Sequence, residues 1–327
     1  MSQAAPPKLI LAQIAYITDR VDVHETHRWY QEVLGFLSSG WTDQFGGPDL
    51  ANLQNLSDPD CKLNIAWMVE RNAAFQVELF EYLRPPSRPR PEGWTPRDLG
   101  YNLTTLYVAD FDGTVERARE RSALTAAPVG APGSRRALVT DPNGNLLELM
   151  EEDLRVPGGG EADRPEVNVS VRGIRAAVGD MERSLAYFVD GYGMAEVDVA
   201  LHGPEHEALW GLDGAEPEVR VLAAGDVFLE LARYKDPAGA PFPEGYQLSD
   251  AGVMNIALAT TSREFQEEVR DRLVGAGYES RDFAPSEDVS VSYVTDDQGF
   301  NVELLYMAPA AYPDFGYVPV NNNGEDN

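Results

Sequence analysis

Residues 137–150 read ALVTDPNGNLLELM, and residues 292–305 read SYVTDDQGFNVELL. Both contain Asp-x-x-Gly-x-x-x-Glu, running from Asp141 to Glu148 and from Asp296 to Glu303. An Asp and a Gly inside a short polar stretch mark a tight turn, and the apolar residues after it mark a strand. A second pair lies nearer the start of each half. HETHRWYQEVLGF (24–36) and MERSLAYFVDGYGM (181–194) each read as an amphipathic helix with an aromatic pair, Trp29-Tyr30 and Tyr187-Phe188. Gly35 and Gly193 stand where such a helix stops. A third pair, VELFEYLRP (77–85) and LELARYKDP (229–237), carries Glu78 and Glu230. Three pairs at nearly one spacing indicate a duplicated chain.

Each half divides again. Apolar strands at 9–18, 101–109, 169–178 and 253–261 precede helices at 23–34, 111–122, 181–191 and 262–275. Short alternating segments follow each helix and close on a strand that carries a Glu. The expected unit is therefore strand, helix, then two or three strands, used four times. RVPGGGEADRPE (155–166) reads as a linker. It lacks the Lys-Ser/Thr of a phosphate loop, and no strand feeds it.

The 327 residues are 43% hydrophobic and 24% charged, an ordinary globular mixture. With 54 acidic against 26 basic residues the net charge is −28, which argues against nucleic acid or an anionic membrane as partner. No apolar run approaches a membrane span, and MSQAAPPK lacks the pattern of a signal peptide. The single cysteine, Cys61, allows no internal disulfide and fits a cytoplasmic location.

Glu78, Glu148, Glu230 and Glu303 share one structural position. Apolar residues flank each on both strand faces, as with Val77/Leu79 and Val302/Leu304. A carboxylate in a strand buried on both sides must be paired, protonated or bound to a metal. His24 and His27 fall in the first turns of a helix and are expected to face solvent. His202 and His206 flank Gly203-Pro204-Glu205 ahead of HEALWGL, read as a strand. Both are within reach of the mouth of the second-half cavity, and His206 is the one expected there.

The βαβββ unit and the phrases WYQEVLGF, VTDPNGNLLELM, MERSLAYFVDGYGM and VTDDQGFNVELL resemble the vicinal oxygen chelate superfamily. That superfamily includes glyoxalase I, bleomycin-resistance proteins and type I extradiol dioxygenases. The resemblance covers most of residues 9–308, and four units in one chain look most like the two-domain layout of the extradiol enzymes. It implies an α+β fold of two tandem domains, each of two βαβββ units forming a curved, partly open barrel. The expected boundaries are a first domain at 1–154, the linker at 155–166, a second domain at 167–310 and a C-terminal tail at 311–327. The stretch APAAYPDFGYVPVN (308–321) is expected to pack across a surface or a neighbouring chain.

In the superfamily the strand-end Glu binds a metal together with His residues on the first strand of a unit. The resemblance implies one site with Glu78 and Glu148 and another with Glu230 and Glu303. The His positions fall near Ala12, Leu103, Gly173 and Asn255, and none is His. A two-His-plus-Glu ferrous site is therefore absent. In the second half Glu303, Glu230 and Asn255 remain as three oxygen ligands suited to Mg²⁺ or Mn²⁺, with Fe and Zn as further candidates. The same residues could work without metal, a Glu of raised pKa moving protons and Asn255 polarising a carbonyl. The catalytic set expected is Glu303, Glu230, Asn255 and His206, with Trp210, Tyr234, Tyr246, Tyr293 and Arg175 as substrate contacts. The first domain is expected to hold a degenerate site.

Two functions follow. One is a glyoxalase- or dioxygenase-like enzyme, a lyase or isomerase acting on a small oxygenated or aromatic compound by proton transfer or enolate chemistry. The other is a metal-free protein that binds or sequesters a small molecule, like the bleomycin-resistance branch. In both the partner is a small molecule, and units of this type often pair between chains as a homodimer.

Overall fold

The computed structural model describes residues 7–320. The first unit comprises β1 (Ile10–Ile17), α1 (Val23–Trp29), β2 (Leu37–Gly46), α2 (Pro48–Leu53), β3 (Lys62–Val69) and β4 (Gln76–Arg84). The second is β5 (Gly100–Val108), α3 (Phe111–Glu120), β6 (Arg136–Thr140) and β7 (Leu146–Met150). The third is β8 (Val169–Ala177), α4 (Met181–Leu185), β9 (Ala195–Glu196), α5 (Pro204–Leu209), β10 (Glu218–Ala224) and β11 (Val227–Arg233). The fourth is β12 (Val253–Thr260), α6 (Arg263–Gly275), β13 (Glu279–Ser286), β14 (Val289–Thr295) and β15 (Asn301–Met307). Helices α1 and α4 each continue into a π-helical turn, Tyr30–Leu34 and Ala186–Gly191. The α+β class and the four repeated units stand as expected.

Local chemistry explains the repeats. Asp22, Asp110, Asp180 and Ser262 each cap the main helix of their unit by accepting a backbone N–H of its first turn. Such a cap is worth about 1 kcal/mol. Gly35 takes φ +87°, the left-handed conformation that ends its helix without a Cβ clash. In the two Asp-x-x-Gly turns, Asp141 accepts from the amides of Asn143 and Asn145, and Asp296 from those of Gln298 and Phe300. Each aspartate thus fixes the hairpin that sets the register of the Glu-bearing strand behind it. HEALWGL, expected as a strand, begins inside the helix α5. Pro204 opens that helix with its φ already fixed, and Glu205 and Glu207 favour its positive N-terminal end.

The units combine across the chain. The first curved sheet has the order β13-β14-β15-β12-β1-β4-β3-β2, joining the fourth unit to the first. The second has the order β6-β7-β5-β8-β11-β10-β9, joining the second unit to the third. Strands β1 and β12 pair antiparallel at the centre of the first sheet, as β5 and β8 do in the second. Most of the core lies on the helix-facing sides: Ile14, Tyr16, Val77, Leu79, Val302 and Leu304 join Tyr30, Val33, Tyr187 and Phe188 there. Alternation along the strands then sends Gln13, Gln76, Glu78, Asn301 and Glu303 to the opposite, concave face. That is why both faces of the Glu strands read as apolar: one packs on helices and the other lines a cavity.

Candidate functional site

Glu78 and Glu303 meet in the concave face of the first sheet. The register relates them by an approximate twofold axis between β1 and β12. Ala15 lies beside Glu78 and Ala257 beside Glu303, while Gln13 pairs with Gln76 and Asn255 lies opposite Ala15. Gln13 and Asn255 are thus equivalent positions. The first-strand position sought near Ala12 is Gln13, because an irregularity in the pairing between Leu11 and Gln13 shifts the face by one residue.

A cavity of about 270 Å³ opens over the two glutamates. Trp67, Phe80, Phe283, Tyr293, Phe315 and Tyr317 supply aromatic walls. Trp67 Nε1 donates to Glu78 Oε1 at 2.6 Å. Burial, then the neighbouring Glu303 charge, push the Glu78 carboxyl well above the usual carboxylate range, against the Trp67 hydrogen bond. Burial raises Glu303 likewise, opposed by a hydrogen bond from Tyr293, its cross-strand neighbour. The pair therefore holds a proton near neutral pH and titrates as one unit.

The amides around the dyad form two equivalent pairs. Gln13 Nε2 donates to Gln76 Oε1 at 3.0 Å, and Asn255 Nδ2 to Asn301 Oδ1 at 3.2 Å. Gln76 Nε2 donates to the carbonyl of Phe315 at 2.6 Å. Phe315 belongs to the C-terminal tail, which crosses this cavity of its own chain. Gly316 takes φ +72°, and a Cβ there would lie 2.5 Å from Trp67, so only glycine lets the tail come this close. Residues 321–327 lie outside the described residues.

The corresponding place in the second sheet is filled from within. Glu148 and Glu230 are buried there, with His202 between them. Its Nδ1 lies 2.6 Å from Glu230 Oε2 and its Nε2 3.2 Å from Glu148 Oε1. Arg136 pairs with Glu148, and Arg175 pairs with Glu230 and Glu207. Trp210 Nε1 donates to Glu148 Oε2 at 2.7 Å, and Tyr234 donates to Glu207 Oε2 at 2.8 Å. Burial opposes ionisation of both carboxylates, yet His202 and the arginines outweigh it and hold each at about 2. Burial likewise opposes charge on His202, but Glu230 and Glu148 raise it to about 9. Three cations against three carboxylates leave the cluster balanced and its hydrogen bonds largely met.

The expected residues are thus divided. Glu303, Asn255 and Tyr293 belong to the first sheet; Glu230, Arg175, Trp210 and Tyr234 belong to the cluster in the second. The triple Glu303, Glu230 and Asn255 does not assemble, because unit four pairs with unit one rather than unit three. The glutamates combine as Glu78 with Glu303 and Glu148 with Glu230. His206 sits on α5, its Nδ1 accepting from the Gly203 amide at 2.8 Å and its ring edge-on to His202. His202, not His206, enters the carboxylate pair. Tyr246 packs against Phe242 between the connecting segments. His27, expected in solvent, is buried with Nε2 3.3 Å from the Trp67 carbonyl, and burial lowers it to about 4. Gln13, Trp67 and Tyr317 are site residues beyond the expected set.

A resident divalent metal held by imidazoles does not fit this site. The two His positions carry amides, and among the described residues no three of His, Cys, Asp and Glu come together as a ligand set. Burial, and for Glu78 the Glu303 charge, favour the protonated form of these carboxyls.

Paired βαβββ units on two curved sheets define the vicinal oxygen chelate class. Residues 11–149 match the sequence profile of the Glyoxalase/Bleomycin resistance protein/Dioxygenase superfamily, and the architecture of the described chain is consistent with that class. No curated protein sequence matches. The fold is similar to that of glyoxalase I from Zea mays, at 18% identity over 92% of this chain and 93% of that one, TM-score 0.60. It is also similar to a putative dioxygenase from Bacillus subtilis subsp. subtilis str. 168, at 15% identity over 97% and 92%, TM-score 0.64. Among the described residues no helix is long and apolar enough to cross a membrane.

Proposed function

We propose that the protein is an enzyme that moves a proton on a small oxygenated or aromatic compound held in the first-sheet cavity, with Glu78 and Glu303 as its acid–base pair. The observation that carries this reading is the meeting of two buried carboxylates of raised pKa in an aromatic cavity. Like charges in an apolar site cannot both ionise, so at neutral pH one carboxylate is a base and its neighbour an acid. The ionised carboxylate takes a proton from carbon next to a carbonyl. The protonated one gives its proton to the carbonyl oxygen, producing an enol. The enol O–H then returns its proton to the carboxylate that supplied it, and the other carboxyl delivers its proton to a different carbon or face, which completes an isomerisation. Such acid–base assistance typically contributes 10²–10⁴-fold. Asn255 and Gln13 hold the strands that present the two carboxylates, and the tail keeps water from the dyad.

The test is solvent deuterium incorporation, read by NMR, across a panel of enolisable and hydroxylated aromatic compounds. Elemental analysis of the same samples accompanies it. Exchange by the wild type, lost in Glu303→Gln and in Glu78→Gln without bound metal, is the expected result. Ligand binding without exchange would overturn the enzyme reading in favour of a sequestration protein. Stoichiometric metal lost on Glu303→Gln would overturn the metal-free mechanism.

A further inference from the structure

The cavity's hydrogen-bonding inventory narrows what it can hold. No Lys, Arg or His is among its lining residues, whereas Glu78, Glu303 and Asp314 are. The N–H groups nearest the dyad each already have a partner. Trp67 N–H is used by Glu78, the Gln13 amide NH₂ by Gln76, and the Gln76 NH₂ by the Phe315 carbonyl. The acceptors are not spent. Gln13 Oε1 is a buried acceptor without a partner, and the Tyr317 hydroxyl, also unpartnered and near both carboxylates, can accept or donate. A buried acceptor left unpaired is destabilising, and a donating ligand would relieve it. One amide donor, Gln54 Nε2, is unpartnered on another wall. It is a neutral donor that can serve a hydroxyl or carbonyl oxygen.

From this inventory we infer that the ligand is an aromatic ammonium compound, a single ring carrying a protonated amine, with the amine at Glu78, Glu303 and Gln13 and the ring among the aromatic walls. An ammonium group has three donors and no acceptor, the complement of what the dyad end leaves free. Aromatic faces such as Trp67 and Tyr293 add cation–π attraction. A volume of about 270 Å³ suits one ring with a short side chain. The chain's net charge of −28 raises the local concentration of cations and repels anions. A carboxylate or phosphate ester would enter among three carboxyl groups with no cation to meet it. This inference rests on the first-sheet cavity being the working site and specifies the class it binds; a compound turned over there carries, beside the ammonium group, a carbonyl whose neighbouring carbon reaches the dyad.

Calorimetric titration with three matched probes tests it: phenethylamine, 2-phenylethanol and phenylacetate. The amine is expected to bind at least tenfold more tightly than the alcohol, and phenylacetate not to bind. The preference should shrink several-fold between 20 and 500 mM salt. Glu78→Gln and Glu303→Gln should each lose most of the amine preference while still binding the alcohol, which shows that the cavity is intact. Equal affinity for amine and alcohol, binding of phenylacetate, or no binding of any probe at millimolar concentration would overturn the inference. So would Mn²⁺ or Mg²⁺, added alone, occupying the site stoichiometrically and displacing the amine. The two readings fail separately. Amine preference without proton exchange on any compound removes only the enzyme, and exchange on neutral compounds without amine preference removes only this inference.

Discussion

Replacing His202 by glutamine takes the central cation from the second-sheet cluster while keeping a hydrogen-bonding side chain of similar reach. In the folded protein burial disfavours the charged imidazole, but Glu230 and Glu148 hold its pKa at about 9, against 6.5 for an unperturbed histidine. The folded-state value is raised, so the stabilisation is fully present below pH 6.5 and is lost as pH rises through 9. At roughly 1.4 kcal/mol per pH unit between those two values, it amounts to about 3 kcal/mol. Urea unfolding of the wild type and His202→Gln at pH 6, 7.5, 9 and 10 isolates this contribution. Groups outside the cluster are common to both proteins and drop out of the difference, while Glu148 and Glu230 keep Arg136 and Arg175 as their cations. The wild-type advantage is expected to be largest at pH 6 and to shrink by about 3 kcal/mol by pH 10. A difference that stays flat within about 0.5 kcal/mol across the series would mean that His202 is neutral in the fold, and the ion cluster as described would be refuted.

Glu303→Gln is expected to stabilise the fold, by about 1 kcal/mol or more at pH 8, because it removes a carboxyl whose ionisation burial disfavours. The gain should grow with pH, since a raised acid pKa makes the wild type lose stability as pH rises; denaturation at pH 6 and pH 8 reads the sign. Arg175→Ala should cost about 3–5 kcal/mol, because it strips the cation from Glu230 and Glu207 deep in the second sheet, and a melting curve measures it. Gly316→Ala should push the tail off Trp67 and weaken binding of any cavity ligand more than it lowers global stability, which titration and urea unfolding separate. Ala257→Arg places a guanidinium beside Glu303 in the register that Arg175 holds beside Glu230; it should abolish small-molecule binding in a chain that still folds, as circular dichroism and titration would show.

The fold was readable because each unit carries its own punctuation. An aspartate or serine starts each main helix, Gly35 and Gly193 stop two of them, and the Asp-x-x-Gly turns fix the Glu strands. All of these are short-range signals. Which units share a sheet is long-range, and adjacency in sequence suggested the opposite pairing. A signal for it was nonetheless present. Gln76-Val77-Glu78 and Asn301-Val302-Glu303 put an amide two residues before the glutamate, whereas Leu146-Leu147-Glu148 and Phe228-Leu229-Glu230 put an apolar residue there. Residues two apart share a strand face, so the amide-bearing strands of units one and four were marked as lining one polar-floored cavity. His202 was harder to find. It reaches the carboxylates from the segment leading into α5, and its position depends on a loop that periodicity does not describe.

The two sheets use one frame for opposite ends, and a single register position separates them. Beside its glutamates the first sheet has Ala15 and Ala257; the second has Thr105 and Arg175. Alanine leaves space, and the carboxylates facing that space have no cation, so they retain a proton and unmet acceptors. Arginine fills the space with a guanidinium that joins two carboxylates and stacks 4.7 Å over Trp210. His202 and Arg136 complete the balance of charge. A buried carboxylate pair is costly until something positive reaches it. In the second sheet that charge is built into the chain, which makes the cluster part of the fold's support. In the first sheet it must arrive as a proton or a ligand, and the proposed function rests on that unmet demand.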